Sequence, residues 1–197
     1  MSEYKDYNWN SNEFTKAHEH FMQPIIQMLP TDGSPILDVG CGNGSFANYL
    51  ITLGYNVFGT DASKSGIEIS NKKNKGRFYL QDLSIQDLPI ELQEIKFKTI
   101  ISTEVIEHLY DPRKYVRFCK SILSKSGGGN LIISTPYHGF LKNLALSLFN
   151  AWDRHLTVLW DGGHIKFWSV KTLSQLLNEY DFLFMEIYGN ECKNISK

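Results

Sequence analysis

Short apolar runs alternate with amphipathic stretches along most of the 197-residue chain. The apolar runs read as strands, because a central strand of a parallel sheet is covered on both faces and is therefore apolar throughout. They lie at residues 35–39, 56–60, 77–80, 98–102 and 130–134. Helical spacing of apolar residues predicts helices at residues 13–28, 45–53, 63–72, 112–123 and 169–180. This alternation predicts an α/β fold with a single doubly wound, mostly parallel sheet and helices on both faces.

Several stretches depart from the alternation. Residues 1–12 are polar with interspersed aromatic residues and read as an arm that orders against the domain and covers a ligand. Pro24 predicts a kink or a break in the first helix. Residues 137–168 form an aromatic-rich insertion, in which residues 139–152 read as one amphipathic helix, and residues 182–188 read as a further strand. We interpret the chain as one domain, with an N-terminal arm and helix at 1–34, a core at 35–136, a substrate cap at 137–168 and a C-terminal helix and strand at 169–197.

The most informative local pattern occupies residues 36–46, Ile-Leu-Asp-Val-Gly-Cys-Gly-Asn-Gly-Ser-Phe. It predicts a buried strand, a turn of three alternating glycines that lets the backbone approach a ligand, and a helix that Ser45 can cap. A dinucleotide site would need Gly-x-Gly-x-x-Gly, and Ser45 stands at the third of those positions. Asp38 would repel a pyrophosphate and would suit a cationic ligand, so the dinucleotide interpretation is disfavoured.

Acidic residues follow the next two predicted strands. Asp61 stands about 20 positions after the glycine turn, the separation at which an acidic residue holds ribose hydroxyls. The alternative is that Asp61 only caps the helix that follows it. Asp82 occurs in Gln-Asp-Leu at the end of the third strand. Because the carboxyl ends of parallel strands share one edge of the sheet, these segments are expected to meet there.

The segment Asp-Val-Gly-Cys-Gly-Asn-Gly resembles the first motif of class I S-adenosylmethionine-dependent methyltransferases. The resemblance implies a Rossmann-like methyltransferase fold and S-adenosylmethionine as cofactor, with Asp82 near the adenine amino group. The implied cofactor-binding residues are Asp38, Gly40, Cys41, Gly42, Asn43, Gly44, Asp61, Ala62, Gln81, Asp82, Leu83 and Thr103.

A second cluster follows the fourth strand, where one helical turn would place Glu104, Glu107 and His108 on one face. Glu-x-x-Glu-His resembles the ubiquinone-biosynthesis O-methyltransferase group and also the small-RNA 2'-O-methyltransferases. In the latter family this segment binds a divalent metal together with a later histidine, and Gly-His-Ile-Lys-Phe at residues 163–167 resembles the segment that carries it. The resemblance therefore implies a metal set of Glu104, Glu107, His108 and His164.

The donors of this set suit magnesium, manganese, iron, nickel or zinc. The alternative is that Glu104 touches the cofactor pocket, Glu107 faces water and His108 packs under the sheet edge.

The resemblance implies direct attack of an acceptor on the sulfonium methyl, and we expect O-methylation of a small aromatic or partly apolar metabolite, with or without metal assistance. The catalytic candidates are Glu104, Glu107, His108 and His138, and His164 is a further candidate base. The alternatives are RNA 2'-O-methylation and a non-catalytic S-adenosylmethionine-binding protein.

Composition and charge disfavour several kinds of partner and site. The formal net charge of -1 and the absence of a long basic run disfavour nucleic acid as a partner. Three scattered cysteines give neither a disulfide framework nor a cysteine metal site. The sequence contains no apolar signal core and no run long enough to cross a bilayer, so we expect a cytoplasmic location. Residues 139–152 either pack over the sheet or make transient membrane contact, and the oligomeric state is left open.

Overall fold

The computed structural model describes residues 6–83, 87–156, 159 and 162–182. Within them, one sheet is formed by β1 (Ile36–Val39), β2 (Val57–Asp61), β3 (Phe78–Leu80), β4 (Thr99–Thr103) and β5 (Asn130–Ser134). The strand order is β3-β2-β1-β4-β5, and every neighbouring pair is parallel. Each strand lies within one residue of its predicted position at either end, because buried parallel strands have uniformly apolar sequences.

The α-helices are α1 (His18–Met28), α2 (Ser45–Thr52), α3 (Lys64–Lys73), α4 (Pro112–Lys125), α5 (Phe140–Leu148), α6 (Trp152–Leu156) and α7 (Val170–Asn178). One buried cluster joins α1, α2 and α3 to the sheet through Phe21, Leu50 and Ile67. A second cluster joins α4 and α7 to the sheet through Tyr115 and Leu176. The two clusters confirm the predicted doubly wound arrangement.

The strand order reverses between β1 and β4. The chain leaves β1 towards β2 on one side, whereas β4 lies against the other side of β1. In such sheets, ligands bind in the crevice beyond the carboxyl ends of the strands at this switch point. The fold therefore places the glycine turn after β1 and the acidic segment after β4 at the same crevice.

The structure corrects two predictions near the N-terminal half. The first helix begins at His18 rather than at residue 13, and it continues through Pro24 without a break. Ser45 is the first residue of α2 rather than its cap, because Gly44 takes a left-handed N-cap conformation and the Asn43 side chain accepts the Ser45 N–H at 3.1 Å.

The insertion also differs from the predicted single helix at residues 139–152. A left-handed Asn150 ends α5, and the Ala151 N–H returns to the carbonyl of Leu146 at 2.8 Å, which is a Schellman-type helix end. A separate helix, α6, then begins at Trp152. None of the residues in α5 is fully buried, whereas Lys142, Asn143 and Leu146 are half-buried. Packing over the sheet stays a prediction. Transient membrane contact stays a prediction.

None of the helices in the described part of the chain is long and apolar enough to cross a membrane. The strand predicted at residues 182–188 lies outside the described residues apart from Phe182.

Candidate active site

The glycine turn folds back onto β2. The N–H groups of Gly40 and Cys41 both donate to the carbonyl of Thr60, at 2.7 and 3.0 Å. Gly40 has φ +80°, and a Cβ there would overlap the side chain of Val105. Only glycine meets both requirements, so the turn keeps its backbone open to a ligand.

A cavity of about 860 Å³ opens beyond the carboxyl ends of β1 to β4. All but one of the predicted cofactor-binding residues line it: Asp38, Gly40, Cys41, Gly42, Asn43, Asp61, Ala62, Gln81, Asp82, Leu83 and Thr103. Gly44 does not, because it lies beneath the turn against Ser70 and Phe78. The sequence thus identifies most of the lining, whereas Gly44 serves packing.

The Asp61 carboxylate accepts two backbone N–H groups, and the alternative in which it only caps α3 is wrong. Its Oδ2 accepts the Gly42 N–H at 2.8 Å and its Oδ1 accepts the Ser63 N–H at 2.7 Å. The cap of α3 is Ser63, whose hydroxyl accepts the Gly66 N–H at 3.0 Å. Asp61 therefore ties the glycine turn to the end of β2, and its carboxylate lines the cavity where a ribose could bind.

Asp38 is almost fully buried, and its Oδ1 has no hydrogen-bond partner among the described residues. Burial, with a contribution from the charge of Asp61, raises its pKa to about 8. Gln81 also lines the cavity, and its buried Oε1 has no partner in the part of the chain that the structure describes, while its Nε2 donates to the carbonyl of Asp87. These orphaned acceptors fit a ligand that carries an amino group.

The N-terminal arm crosses this cavity, and no sequence pattern marks Asp6 as the residue that anchors it. Asp6 accepts hydrogen bonds from the hydroxyls of Ser63 and Ser65 at 2.7 and 2.6 Å. The backbone N–H of Trp9 donates to Ser65 Oγ, and the Trp9 ring lies over Gly42. Tyr7 donates its hydroxyl to the carbonyl of Gly162. Tyr7 and Trp9 both line the cavity. That the arm covers a bound ligand stays a prediction.

The predicted shared helical face of Glu104, Glu107 and His108 is wrong. Glu104 adopts φ +56° at the end of β4, and only Ile106–His108 form a short 3-10 turn. Glu104 is held towards β5, since its N–H donates to the carbonyl of Ser134 and its Oε1 accepts the Ser134 hydroxyl at 2.8 Å. Edge pairing with β5 therefore overrides helical geometry at Glu104.

Glu107, His108 and His164 nevertheless come together, with one potential ligand atom of each lying within 4.8 Å of the others. The Ile165 and Lys166 N–H groups both donate to the carbonyl of Glu107 at 2.9 Å, which brings the His164 segment to the site. Glu104 lies outside this group. The structure thus gathers three of the four predicted ligands.

Burial changes the pKa values of the three side chains in this group. Glu107 is almost fully buried, so the alternative in which it faces water is wrong. Its Oε2 accepts the Thr135 hydroxyl, and its unpartnered Oε1 lies 3.9 Å from His108 Nε2. Burial and the charge of Glu104 raise the Glu107 pKa to about 8, and burial lowers the pKa of both histidines.

The tautomer of His108 follows from its hydrogen bond. Its Nδ1 lies 3.2 Å from the carbonyl of Gly163, which can only accept, so Nδ1 carries the proton. The Nε2 lone pair is then available next to Glu107. Once Glu107 is ionised, its carboxylate and the two neutral imidazoles form a donor set that fits a divalent metal ion.

His138 lies elsewhere. It does not line the cofactor cavity, and its N–H donates to the carbonyl of Trp168 at 2.8 Å. Its ring borders a second, smaller cavity. The sequence could not separate His138 from His108, since both follow a strand at the same edge of the sheet.

Comparison with known proteins agrees with this geometry. A family model described as a methyltransferase domain matches residues 14–186. The ubiquinone biosynthesis O-methyltransferase of Caulobacter sp. is 30% identical over 128 residues, which are 62% of this chain and 48% of that protein. The mitochondrial ubiquinone biosynthesis O-methyltransferase of Dictyostelium discoideum is 32% identical over 133 residues, or 61% of this chain and 40% of that protein. The chain therefore spans about half the length of the curated relatives it matches.

Solved structures share the fold. Magnesium protoporphyrin IX methyltransferase from Synechocystis, with bound SAH, superposes with a TM-score of 0.59 at 19% identity, over 83% of this chain and 73% of that one. An S-adenosylmethionine-dependent methyltransferase from Anabaena variabilis gives a TM-score of 0.60 at 19% identity, over 82% and 71%. With a family match that covers most of its length, the chain belongs to the methyltransferase domain family, among the class I S-adenosylmethionine-dependent methyltransferases.

Proposed function

We propose that the protein transfers the methyl group of S-adenosylmethionine to an oxygen atom of a small aromatic or partly apolar acceptor. The observation that carries the proposal is the buried Glu107 carboxylate, whose unpartnered Oε1 lies beside the free Nε2 of His108, a residue of the cofactor cavity. The names of the Caulobacter and Dictyostelium relatives support oxygen as the accepting atom.

The cofactor would lie beneath the N-terminal arm. Asp38, with its unpartnered Oδ1, suits the amino group of the methionine part, and Asp61 and Asp82 line the places for the ribose and the adenine. The bound cofactor supplies an electrophilic methyl group on a positively charged sulfur. The protein's contribution is then mainly to orient the acceptor oxygen towards that methyl group and to exclude water.

Removal of the acceptor proton needs a base. A phenolic hydroxyl has a pKa near 10 and is mostly protonated at neutral pH. His108 is neutral because burial lowers its pKa, so its Nε2 can accept that proton. Glu107 lies next to this nitrogen and, when ionised, stabilises the resulting imidazolium.

A divalent metal is the second means of activation that this site supports. Glu107, His108 and His164 would hold magnesium, manganese, iron, nickel or zinc through one oxygen and two nitrogen atoms. Such an ion would lower the pKa of an acceptor hydroxyl. Glu104 would remain outside its coordination sphere.

The test compares Glu107→Gln with Glu91→Gln, which changes an exposed glutamate that does not line the cavity. Methyl transfer from labelled S-adenosylmethionine to catechol should fall about 10²- to 10⁴-fold in the first variant and stay at the wild-type rate in the second. Binding of S-adenosylhomocysteine, measured by calorimetry, should be unchanged in both. Wild-type rates in Glu107→Gln, or transfer to RNA but not to small phenols, would contradict the proposal.

The metal is tested separately. The protein is stripped with chelator and titrated with each of the five metals, while bound metal and methyl transfer are measured in parallel. The proposal expects wild type to bind one ion that a His108→Ala, His164→Ala double variant does not. Equal binding by both proteins, together with activity that survives the chelator, removes the metal and leaves His108 as the base.

A further inference from the structure

A second cavity, of about 280 Å³, lies between the residues that follow β5 and helices α5 and α6. Its lining consists of His138, Asn143, Trp152, Leu156 and Phe167. None of these five residues lines the cofactor cavity. Trp152, Leu156 and Phe167 provide apolar walls that suit an aromatic or aliphatic group.

Two polar atoms at this cavity lack partners. His138 is 9% exposed, and its Nε2 has no hydrogen-bond partner within the described ranges. The same holds for the side-chain oxygen of Asn143. Because the oxygen and nitrogen of an asparagine amide exchange places by a simple flip, Asn143 can present an N–H donor instead. Buried polar groups without partners are unfavourable unless a ligand satisfies them.

The charges around the cavity favour an anion. None of the five lining residues is acidic. Burial and the charge of Lys142 lower the pKa of His138 to about 4, so the ring is neutral and lies in the positive field of Lys142. The acidic group that faces Lys142 is Glu104, which raises the Lys142 pKa but already accepts the Ser134 hydroxyl.

The amino-terminal end of α5 strengthens this field. The helix has nine residues, and its N-cap, Gly139, offers no side chain to the first N–H groups. His138 directly precedes this end, and Asn143 lies in the first turns of the helix. No side chain among the described residues caps this helix end, and its helix dipole favours a negative charge next to His138.

We propose that the second cavity is a subsite for a carboxylate group of the methyl acceptor, held by His138, Asn143 and the amino-terminal end of α5 near the Lys142 ammonium. The inference rests on the proposed function, because it assumes that the acceptor reacts in the cofactor cavity. It narrows the acceptor to a hydroxylated aromatic carboxylic acid. His138 is then an acceptor-binding residue rather than the base.

One short segment contributes residues to both cavities. His164 and Ile165 line the cofactor cavity, and Phe167 lines the second one. The rings of His164 and His108 are 4.9 Å apart, and those of Phe167 and His138 are 5.0 Å apart. An acceptor that lies along residues 162–167 can therefore place its hydroxyl by His108 and its carboxylate by His138.

The experiment compares two probes of nearly the same shape, 3,4-dihydroxybenzoate and its neutral amide, 3,4-dihydroxybenzamide. Their affinities for the S-adenosylhomocysteine-saturated protein are measured by calorimetry at fixed ionic strength. We expect wild type to bind the carboxylate at least tenfold more tightly. His138→Ala and Lys142→Met should each reduce this preference to under threefold, His138→Gln should restore part of it, and Lys171→Met, on the exposed face of α7, should leave it intact.

The outcomes separate this subsite from the proposed function. A preference under tenfold in wild type, including no binding of either probe, overturns the subsite, as does a preference that survives both His138→Ala and Lys142→Met. Lys142 is only partly buried, so its replacement tests the subsite even if His138→Ala does not fold. Methyl transfer to neutral catechol without a carboxylate preference would leave the proposed function standing.

Discussion

The Asp61 carboxylate accepts the backbone N–H of Gly42 at 2.8 Å and thereby joins the end of β2 to the glycine turn. The two residues are 19 positions apart, so this bond fixes the relative position of two segments that must hold one ligand together. Burial raises the Asp61 pKa, while the amides of Ser63 and Gly42 oppose that shift. The same carboxylate thus organises the turn and lines the cavity.

Asp61→Ala should weaken binding of S-adenosylmethionine and S-adenosylhomocysteine equally, because a ribose is common to both. We expect a loss of about ten- to a hundredfold, since a hydrogen bond to a charged group contributes about 1.5–3 kcal/mol. Calorimetric titration of both ligands measures it. Asp32→Ala is the matched control, because Asp32 accepts the Ser34 N–H in the same two-residue geometry but lies on the surface. Unequal losses for the two ligands would place Asp61 away from the ribose.

Asp38 predicts a pH effect on stability. Its pKa in the folded protein is about 8, above the ordinary value of 3.8. The folded state therefore holds this proton more tightly than the unfolded state does, so the stabilisation is complete below about pH 4 and is lost as the pH rises through 8. In the ligand-free protein, Asp38→Asn should raise the Tm at pH 8 by at least about 2–4 °C, the change that 1 kcal/mol gives at this chain length. The advantage should be absent at pH 4.

The same substitution should reduce cofactor affinity, because an amide oxygen can still accept a hydrogen bond but carries no negative charge to pair with the ammonium group of the methionine part. Thermal unfolding from pH 4 to 8, with and without S-adenosylhomocysteine, measures both effects. Asp32→Asn serves as the control, since hydrogen bonds lower rather than raise the pKa of this exposed carboxylate. A gain in Tm at pH 8 without any loss of affinity would mean that Asp38 is structural only.

The sequence predicts the sheet well and the edges of the site less well, for a physical reason. A buried parallel strand needs apolar residues and a tight turn needs glycine, so the local sequence of residues 36–46 predicts their structure. The backbone of Glu104 is set by Ser134, which is 30 residues away, and the arm is set by the contact of Asp6 with Ser65. Such distant pairings leave no periodicity in the sequence. The three-residue cluster was found only because a resemblance supplied His164.

Gly40→Ala should destabilise the protein and abolish cofactor binding. A Cβ at Gly40 would meet two obstacles, a φ of +80° and an overlap with Val105. Gly33→Ala tests the effect of φ without the overlap, because Gly33 has φ +74° and nothing lies within 4 Å of a Cβ added there. Gly33→Ala should therefore lose about 1–2 kcal/mol of stability, and Gly40→Ala more. Urea unfolding and S-adenosylhomocysteine titration of both variants measure the difference.

A Gly40→Ala, Val105→Ala double variant removes the overlap but keeps the unfavourable φ. Its stability should return to the level of Gly33→Ala. If Gly40→Ala alone is no less stable than Gly33→Ala, Val105 does not constrain the turn, and the close packing of β1 against the segment after β4 is not needed.

The arm over the cavity should control the release of the cofactor. Asp6 holds it through the hydroxyls of Ser63 and Ser65, and Trp9 covers Gly42 at the glycine turn. Asp6→Ala removes these bonds without touching the cavity lining, so we expect labelled S-adenosylhomocysteine to dissociate about tenfold faster. Displacement by excess unlabelled ligand measures the rate. Asp87→Ala, at an exposed aspartate outside the arm, should leave the rate unchanged.

Trp9→Ala gives an independent test of the arm, because it keeps the Asp6 bonds and removes only the ring above the turn. If the arm acts as a cover, both variants should speed dissociation of the ligand. The rate of association should change less, because differences in affinity between variants of one site arise mostly in the dissociation rate. If Asp6→Ala leaves dissociation unchanged while Trp9→Ala accelerates it, the ring binds the cofactor directly and the arm is not a cover. If neither changes it, the arm lies on the surface without restraining the ligand.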